Sequence, residues 1–491
     1  MPSIIRTQVE PAGPTQITIG AKTPAEVFSL FMTDQMLAKI CVFTSDKMRQ
    51  LRENFKDADK ATFKDIGLME LKAFIGVLIM SGAHKDNHLT AVEMWSHVYG
   101  CPFYRSNFSE CRFAFIIRSF RFDDPTTRTT RLKTDRFAHV RDVWDKVIQN
   151  CKANYSPGPH LTVDEQLLAF RGCCIFRMYL PNKPSKYGLK LVMACDADTL
   201  YTCNAIPYLG KGSCDMKKGV TLGEHFTMEL VAPFKRSGHT VTCDNWFTSL
   251  PLARSLSKDG MHLVGTIRPK PYLPSQLVNH KVEVGESVAV FNYKDQITLL
   301  NQRVSSTKRI MILSTLHHNP SIVEKKKTQL HMFYNATKGG VDAFDQLCLL
   351  MSCSRKTRRW PLCLFYGAIN IVFNNAYIIY AHRPENKGIA RRQFAMDLAV
   401  ELCRPYAGNR LLWARYLPRD VVSLIRSVFD LPEDAAAAAE EEPRAKSEKW
   451  KRCYLCPSSG TARTKVLCRT CHKSVCTNHT NQLCSMCYKP S

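Results

Sequence analysis

Apolar residues follow a helical spacing near the start of the chain and a strand-like spacing in its middle. Leu71, Phe74, Ile75 and Leu78 recur at intervals of about three or four residues, which is typical of a helix with one buried face. The same spacing predicts helices over residues 24–154. The first ordered part of the chain is therefore predicted to be helical.

The pattern changes at the Pro- and Gly-rich stretch 155–159, after which β-branched and apolar runs predict strands. The predicted strands cover residues 161–170, 174–180, 189–195, 200–206 and 239–243. A second β-rich patch, residues 269–327, includes short runs near 287–291 and 309–314. Helical spacing returns after Gly339 and Gly340 and continues to about residue 429. This alternation predicts an α/β, or multidomain α+β, fold class.

The basic excess of the chain points to a polyanionic partner. The chain has 68 lysines and arginines against 43 aspartates and glutamates, which gives a formal net charge of +25. Each phosphate that such a protein neutralises releases condensed counterions, and this favours nucleic-acid binding. A generally basic protein without such a partner is the alternative.

The 21 cysteines are expected to be thiols or metal ligands rather than disulfides. No continuous apolar segment of a secretory signal is visible at the N-terminus. The longest apolar candidates, such as residues 73–80, are far shorter than the roughly 18 residues of a membrane helix. We therefore expect no membrane partner.

Composition shifts again at residues 431–449, which carry proline, glutamates and an alanine run and are interpreted as a linker. The cysteine-rich tail beyond it contains four ligand pairs whose spacing suits two tetrahedral Zn²⁺ ions. Metal binding would supply the folding energy that so short a segment cannot draw from a core. The predicted zinc ligands are Cys453, Cys456, Cys468, Cys471, Cys476, His479, Cys484 and Cys487.

Two pairings of these ligands are open. In a cross-brace, which we favour, Cys453, Cys456, Cys476 and His479 hold one ion, and the other four ligands hold the second. In the sequential alternative, the first two pairs share one ion and the last two pairs share the other. Spacing alone does not exclude either arrangement.

Four aspartates lie where a nuclease would need them. Asp164 is inside a predicted strand, Asp244 follows the end of another, and Asp342 and Asp345 share one face of a predicted helix. This order of carboxylates is what an RNase H-like nuclease needs to hold two Mg²⁺ ions about 3.5–4 Å apart at a scissile phosphate.

The alternative is that these aspartates are ordinary structural residues. An aspartate at a strand end is most often a cap or turn residue. Glu165, Asp196 and Asp198 are comparable acidic neighbours, and spacing alone does not rank them below the chosen four.

Longer motifs resemble the piggyBac transposase family. Residues 161–212, which begin LTVDEQLLAFRG, and the stretches VTCDNWFTSLPLA at 241–253 and YNATKGGVDAFDQL at 334–347 are similar to its catalytic core. The segment SECRFAFIIRSFRFDD at 109–124 is similar to the helical region ahead of that core. The cysteine pattern of the tail resembles the family's C-terminal zinc module.

The resemblance implies that Asp164, Asp244, Asp342 and Asp345 are the catalytic metal ligands. It further implies a dimeric enzyme that nicks the ends of a transposon in double-stranded DNA, forms hairpins there and joins the ends into TTAA targets. The core would be RNase H-like and interrupted by a β-rich insertion. The implied division is a flexible segment 1–23, a helical dimerisation and DNA-binding domain at 24–158 and 352–430, a core at 159–269 and 330–351, an insertion at 270–329, the linker 431–449 and a zinc domain at 450–491.

Basic residues around these motifs are candidate DNA contacts, with a solvated basic face as the alternative. They are Arg171, Lys183, Lys186, Arg355, Lys356, Arg358 and Arg359. Trp360 either stacks on DNA or anchors the segment in the core. Trp246, beside Asp244, packs either against an unpaired base or against the core, and we favour the core.

Basic clusters at 355–359 and 444–452 are also compatible with nuclear import, so the nucleus is the expected location. Three functions remain open. The first is an active transposase, and the second is a host-retained DNA-binding or chromatin protein that no longer transposes. The third is a zinc-module protein acting in ubiquitin or histone binding.

Overall fold

The chain forms two compact units, Met1–Tyr406 and Ala407–Ser491. A computed structural model describes residues 11–55, 61–181, 183–210, 212–213, 216, 218–319, 322–324, 327–432, 446–454, 456, 463–467 and 473–476. Most of the linker predicted at 431–449 lies outside these residues.

Among the residues that the structure describes, eight α-helices precede the main sheet, in the range for which the periodicity predicts helices. They are α1 (Pro24–Ser29), α2 (Asp34–Arg52), α3 (Leu68–Ala83), α4 (Ala91–Met94), α5 (Pro102–Asn107), α6 (Glu110–Ser119), α7 (Pro125–Arg131) and α8 (Arg141–Asn154). Their starts follow local chemistry: Thr23 and Glu26 form a reciprocal capping box at α1, and the Ser109 side chain caps α6. These side chains satisfy backbone N–H groups that a helix start leaves without partners.

A mixed sheet follows and forms the centre of the first unit. A short strand β1 (Gly13–Pro14) pairs outside this sheet with β2 (Tyr155–Ser156). The strands that follow are β3 (His160–Ala169), β4 (Arg177–Tyr179), β5 (Tyr187–Asp196), β6 (Thr202–Pro207), β7 (Thr240–Cys243) and β8 (His262–Thr266). Helix α9 (Leu222–Val231) precedes β7, and α10 (Leu250–Lys258) connects β7 to β8.

Strand order gives the sheet its RNase H-like character. Across the sheet, β6, β5, β3, β7 and β8 lie side by side; β3, β7 and β8 are parallel, and β5 is antiparallel to its neighbours. The parallel pairs are joined through helices, as parallel strands require. The carboxyl ends of β3, β7 and β8 therefore point to the same edge of the sheet, which is where ligands bind in such sheets.

The insertion predicted at 270–329 extends this sheet instead of forming a separate one. After α11 (Ser275–Val278), the strands β9 (Ser287–Asn292), β10 (Ile297–Arg303) and β11 (Arg309–Ser314) join it through the pairing of β11 with β8. The sequence patterns predicted β9 and β11 but not β10. Strands β12 (Ile322–Glu324) and β13 (Lys327–Thr328) pair separately.

Four helices complete the first unit: α12 (Gln329–Thr337), α13 (Gly340–Leu350), α14 (Trp360–Ala381) and α15 (Arg391–Leu411), the last of which ends in the second unit. Close packing fixes two of them on β3. A Cβ at Gly340 would lie 2.5 Å from Thr162 Oγ1, and one at Gly367 of α14 would lie 2.6 Å from Leu168 Cδ1.

Helix α14 corrects the expectation that no apolar run reaches membrane-spanning length. Within the described part of the chain, it is the one helix long and apolar enough to cross a membrane. However, 89% of its apolar window is buried inside the protein, which is the behaviour of a core helix. Its asparagines, which interrupt the apolar run, hydrogen-bond inside: Asn375 donates to the carbonyl of Thr202 at 3.0 Å.

Contacts distant in sequence join helices that precede the sheet in the chain to a helix that follows it. The Ala25 N–H donates to Glu401 Oε2 at 2.8 Å. In the interior, Arg112 donates to both carboxylate oxygens of Glu70 at 2.8 Å, and the Tyr406 hydroxyl donates to the same carboxylate at 2.9 Å. A buried ion pair of this kind is held by its additional hydrogen bonds rather than by charge alone.

The segment predicted as flexible, residues 1–23, differs from that expectation where it is described. Besides the β1 pairing, the Thr15 N–H donates to the carbonyl of Asn154 at 3.1 Å, and Arg383 donates to the carbonyls of Thr18 and Ala21. Backbone pairing of this kind leaves no periodicity in the sequence. Residues 1–10 lie outside the described part.

The second unit contains α16 (Arg419–Phe429) and the strand pair β14 (Lys446–Arg452) and β15 (Arg463–Val466), which run antiparallel. The division between the units, after Tyr406, falls inside the range 352–430 that the sequence assigned to one helical domain. The remaining domain boundaries stay predictions.

Candidate active site

Strand register brings Asp164 and Asp244 to the same level of the sheet. Strands β3 and β7 are parallel, and Val163 is paired with Cys243. The next residue on each strand is therefore an aspartate. Hydrogen bonds fix the turn after β7, because Asp244 Oδ1 accepts from the Trp246 N–H at 2.8 Å and the Asp244 carbonyl accepts from the Thr248 hydroxyl at 2.7 Å.

Helix α13 carries Asp342 and Asp345 next to β3. The contact of Gly340 with Thr162 fixes the start of this helix. Farther along, Asp345 Oδ1 accepts from the Gln166 side chain at 2.9 Å, and Asp342 Oδ1 lies 3.2 Å from Lys183 Nζ. The four predicted carboxylates thus come from two adjacent strands and one helix that touches the first of them.

Negative charge accumulates at this edge of the sheet. Burial, and then the charges of Glu165 and Asp244, raise the pKa of Asp164 to about 8. Burial also raises the pKa of Asp244 and that of Asp345 above their ordinary values. Burial alone would lower the pKa of Lys183, but the carboxylates of Asp342 and Asp164 raise it above its ordinary value. Burial is the largest cause of each carboxylate shift, and the charges of neighbouring carboxylates add to it.

The donor set fits Mg²⁺, a hard ion that prefers carboxylate oxygen. Among the residues that the structure describes, however, no three of these carboxylates bring oxygens within 4.8 Å of one another. The set is therefore wider than the coordination sphere of one ion. A pair of ions distributes its ligands over a larger space.

The structure separates the acidic neighbours that the sequence could not rank. Asp196 is fully buried and accepts from the backbone N–H groups of Gly158, Asp198 and Thr199, so it stabilises a turn. Asp198 is exposed. Glu165 is different, because its charge acts on both Asp164 and Asp244.

A groove of about 620 Å³ adjoins the carboxylates, and we call it the basic groove. Asp345 lines it, together with five of the predicted DNA-contact residues: Arg171, Lys183, Arg355, Lys356 and Arg358. Arg171, Lys356 and Arg358 are exposed. Lys186 is exposed in a turn with φ +50°, outside the lining of the groove.

The other two cations of the basic run face the protein. Arg355 also lines the groove, but its guanidinium donates to the carbonyl of Leu89 at 2.6 Å. Arg359 donates to the carbonyls of Ile117 at 2.8 Å and Phe120, and burial lowers its pKa to about 10. Of the four cations in this basic run, Lys356 and Arg358 are exposed and remain candidates for DNA contact, whereas Arg355 and Arg359 bind backbone carbonyls of the protein.

Trp360 anchors this run in the protein, which is one of the two roles that the sequence left open; the other was stacking on DNA. Its ring lies 5.9 Å from the Phe137 ring and 5.0 Å from the Phe176 ring, measured between centroids. The run is therefore held on both sides, by arginines that donate to carbonyls and by an aromatic cluster.

Three thiols of the predicted zinc module lie together in the second unit. Cys453, Cys456 and Cys476 have sulfur atoms within 4.8 Å of one another. The Cys476 N–H donates to the Cys453 sulfur at 3.2 Å, a bond that favours a thiolate. Cross-brace pairing predicts this grouping, whereas sequential pairing would separate Cys476 from the other two. The remaining predicted ligands lie outside the described residues: Cys468, Cys471, His479, Cys484 and Cys487.

Comparison with known proteins decides the family. The family model described as Transposase IS4 matches residues 23–377. A solved structure of the piggyBac transposase synaptic complex with hairpin DNA is 38% identical, covers 97% of this chain and 100% of that chain, and superimposes with a TM-score of 0.80. The chain belongs to the piggyBac-type transposase family. The family and the fold are those of DNA-cleaving enzymes.

Human relatives of this piggyBac-type chain are more distant. PiggyBac transposable element-derived protein 3 is 21% identical over 389 residues, which are 75% of this chain and 63% of that protein. PiggyBac transposable element-derived protein 5 is 21% identical over 424 residues, or 79% of this chain and 77% of that protein. The chain thus spans less than two thirds of the first of these relatives.

Sequence reasoning missed one residue of this piggyBac-type site, Lys190. It lies on β5 with only 7% of its surface exposed, and its Nζ is 3.5 Å from Glu165 Oε2. Its charge acts on Asp244 as well, where it lowers the pKa. A lysine inside an otherwise apolar strand was the available signal, since lysine is almost never buried without a partner.

Proposed function

We propose that this chain is a metal-dependent transposase that nicks transposon ends, closes hairpins on them and joins them to TTAA targets in double-stranded DNA. The observation that carries the proposal is the register of β3 and β7, which sets Asp164 beside Asp244. Membership of the piggyBac-type family supports it.

Two Mg²⁺ ions would be held by Asp164, Asp244, Asp342 and Asp345, and when bound they would supply activation of a water or 3′-OH and stabilisation of the leaving oxygen. The chain itself supplies the arrangement of these groups. Gln166 orients the Asp345 carboxylate through its amide. Lys183 contacts Asp342 and also donates to the carbonyl of Glu165 at 2.9 Å, so it ties α13 to β3.

The basic groove would hold the DNA backbone. Arg171, Lys356 and Arg358 present exposed charges along it, and each neutralised phosphate adds affinity that falls with salt. Because Asp345 lines the same groove, a phosphate bound there would lie near the carboxylates. Lys186 is exposed nearby in sequence and is a candidate for more distant backbone contacts.

The test uses purified full-length protein, Mg²⁺ and DNA carrying the ends of the element that surrounds this reading frame. Nicks and hairpins are resolved on denaturing gels, and binding is measured separately by fluorescence anisotropy. We expect Asp164→Asn to abolish cleavage and to preserve binding. The control is Asp198→Asn, which removes an exposed carboxylate close in sequence. Intact binding by the wild type without any nick or hairpin would refute the enzyme proposal.

A host-retained protein that binds DNA without transposing is the second candidate. The names of the human relatives describe them as derived from a transposable element. Excision of a marked element in cells, with the matching ends supplied, separates the candidates. Cleavage in vitro with excision in cells supports the enzyme, and binding alone supports the second candidate.

The zinc module, the oligomeric state and the location complete the proposal. We propose two Zn²⁺ ions in the module, with Cys453, Cys456 and Cys476 among their ligands, and a homodimer located in the nucleus. Metal analysis should give two zinc ions per chain. Light scattering should give twice the mass of 55.8 kDa. Imaging of a tagged chain tests the location, and cytoplasmic retention would contradict it.

A further inference from the structure

Trp246 is an exposed tryptophan two residues beyond Asp244. Its side chain is 39% exposed, whereas the neighbouring Phe247 is only 1% exposed. This corrects the sequence interpretation that favoured the core for Trp246: alternation along the turn sends Phe247 inside and leaves the tryptophan outside. Singly exposed apolar residues are common on protein surfaces, but this ring is set apart by its place two residues beyond Asp244 and by the contacts that hold it.

The ring is held on two sides by side chains of the site. Lys190 Nζ lies 4.1 Å from the ring centroid, and the Phe247 ring stands at 85° to it with centroids 4.6 Å apart. Lys190 is itself buried and lies near Glu165. The Lys190 ammonium thus lies over the ring, and 39% of the tryptophan surface stays exposed for a ligand.

The backbone that carries Trp246 is fixed as well. Its N–H donates to Asp244 Oδ1 at 2.8 Å. Gly223 of α9 lies so close that a Cβ there would be 2.5 Å from the Trp246 carbonyl oxygen and 2.8 Å from Phe247 Cα. The ring is therefore preorganised, and a ligand that covers it loses little conformational freedom of the protein.

We infer that Trp246 is a stacking site for an unpaired nucleobase next to the scissile phosphate. The inference rests on the proposed function and adds a ligand group to it. Two residues span at most about 7 Å of extended chain, and nucleotides of one strand rise about 3.4 Å each. The stacked base thus belongs to a nucleotide within about two steps of the phosphate.

An unpaired base fits this surface better than a paired one. Both faces of a base inside a duplex are covered by its neighbours, so a base from within the helix can cover the ring only after it has left the stack. Closing a hairpin requires the last bases of the duplex to leave their stack, at a cost of a few kcal/mol. An aromatic platform offsets that cost for any base, since every base offers a π-face.

The experiment uses the full-length protein and a DNA duplex with a four-nucleotide single-stranded TTAA end. 2-Aminopurine replaces each base of this end in turn, and Ca²⁺ replaces Mg²⁺ to prevent cleavage. Stacking on the indole quenches 2-aminopurine, so the wild type should quench it at one or two positions. Trp246→Ala should restore the fluorescence there and weaken binding of the tailed duplex about 10-fold, while Trp246→Phe keeps most of both.

Two controls separate this inference from loss of fold and from failure of the proposed function. Trp413→Ala removes another exposed tryptophan, 46% exposed in the second unit, and should behave as wild type. Binding of a blunt duplex should be unchanged in every variant, which shows that the fold is intact. Equal fluorescence of wild type and Trp246→Ala at all positions overturns the stacking site. If the wild type binds no DNA at all, the proposed function fails as well.

Discussion

Replacing Asp164 with asparagine should stabilise the metal-free protein while it removes the activity. In the folded chain, burial and the charges of Glu165 and Asp244 raise the pKa of Asp164 to about 8, from an ordinary value of 3.8. The unfolded chain therefore ionises this group at lower pH than the folded chain does. As pH rises from about 4 to about 8, ionisation favours the unfolded state.

The size of the effect follows from the shift. Each pH unit between the two pKa values removes about 1.4 kcal/mol of stability, so the ceiling is about 5 kcal/mol near pH 7.5. Glu165 and Asp244 carry part of the negative charge that raises the pKa of Asp164. Neutralising Asp164 alone therefore relieves only part of the repulsion in the cluster, and the gain stays below this ceiling. We expect the variant to gain roughly 2–3 kcal/mol at pH 7.5 and less than about 1 kcal/mol at pH 5.

Urea unfolding in EDTA, followed by tryptophan fluorescence at pH 5, 6.5 and 8, measures this gain as a shift of the midpoint. Mg²⁺ should raise the midpoint of the wild type at pH 8 and have little effect on the variant, because the ion binds the carboxylates that repel one another. Asp198→Asn, which alters an exposed carboxylate, should change neither midpoint.

Two results would refute this reasoning. A variant that is less stable than wild type at pH 8 would mean that the carboxylate is satisfied without metal. A gain that does not change with pH would mean that asparagine stabilises through packing or hydrogen bonding instead of through charge. Either outcome would also weaken the case that the four aspartates form an ion-binding cluster.

Three further predictions concern positions with clear local geometry. Gly340→Ala should lower the cleavage rate and reduce stability by about 1–3 kcal/mol, since the new Cβ would clash with Thr162. Gly339→Ala is the matched control for both measurements, because a Cβ there has no atom within 4 Å. Arg359→Ala should lower stability by about 2–4 kcal/mol in thermal melts, because its carbonyl partners lose a charged donor. Arg358→Ala should leave the melting temperature unchanged and reduce the salt dependence of DNA binding by about one phosphate contact. Equal melting temperatures for the two variants would contradict the assignment of Arg359 to the interior and Arg358 to the surface. Cys476→Ser should lower bound zinc by at least one ion per chain, and unchanged zinc content would exclude this thiol as a ligand.

Periodicity predicted the elements that carry the site. The strand that contains Asp164, the strand that ends just before Asp244 and the helix that begins after Gly339 were visible because apolar spacing differs between strand and helix. Strand β10 was missed between two predicted neighbours, although it is the most buried of the three. A strand buried on both faces loses the alternation that identifies its neighbours, so its pattern does not separate it from other apolar runs.

Side-chain direction was the part that the sequence could not supply. Arg355, Lys356, Arg358 and Arg359 are equivalent by composition, yet only two of them are exposed. Trp246 was misjudged for the same reason. Whether a cation meets solvent or a carbonyl depends on backbone groups some 240 or more residues earlier in the chain, and no local pattern encodes such a contact.

The hydrogen bond between Ala25 and Glu401 sets a condition on how the protein is made. Its partners are 376 residues apart, and ribosomes add about 5–20 residues per second. The N-terminal helices therefore leave the ribosome some 20–75 seconds before the helix that completes them has been synthesised. During that interval their apolar faces are exposed unless a chaperone binds them. We therefore expect the yield of folded protein in a heterologous host to depend more on chaperone supply than on the translation rate set by the codons in the last third of the gene.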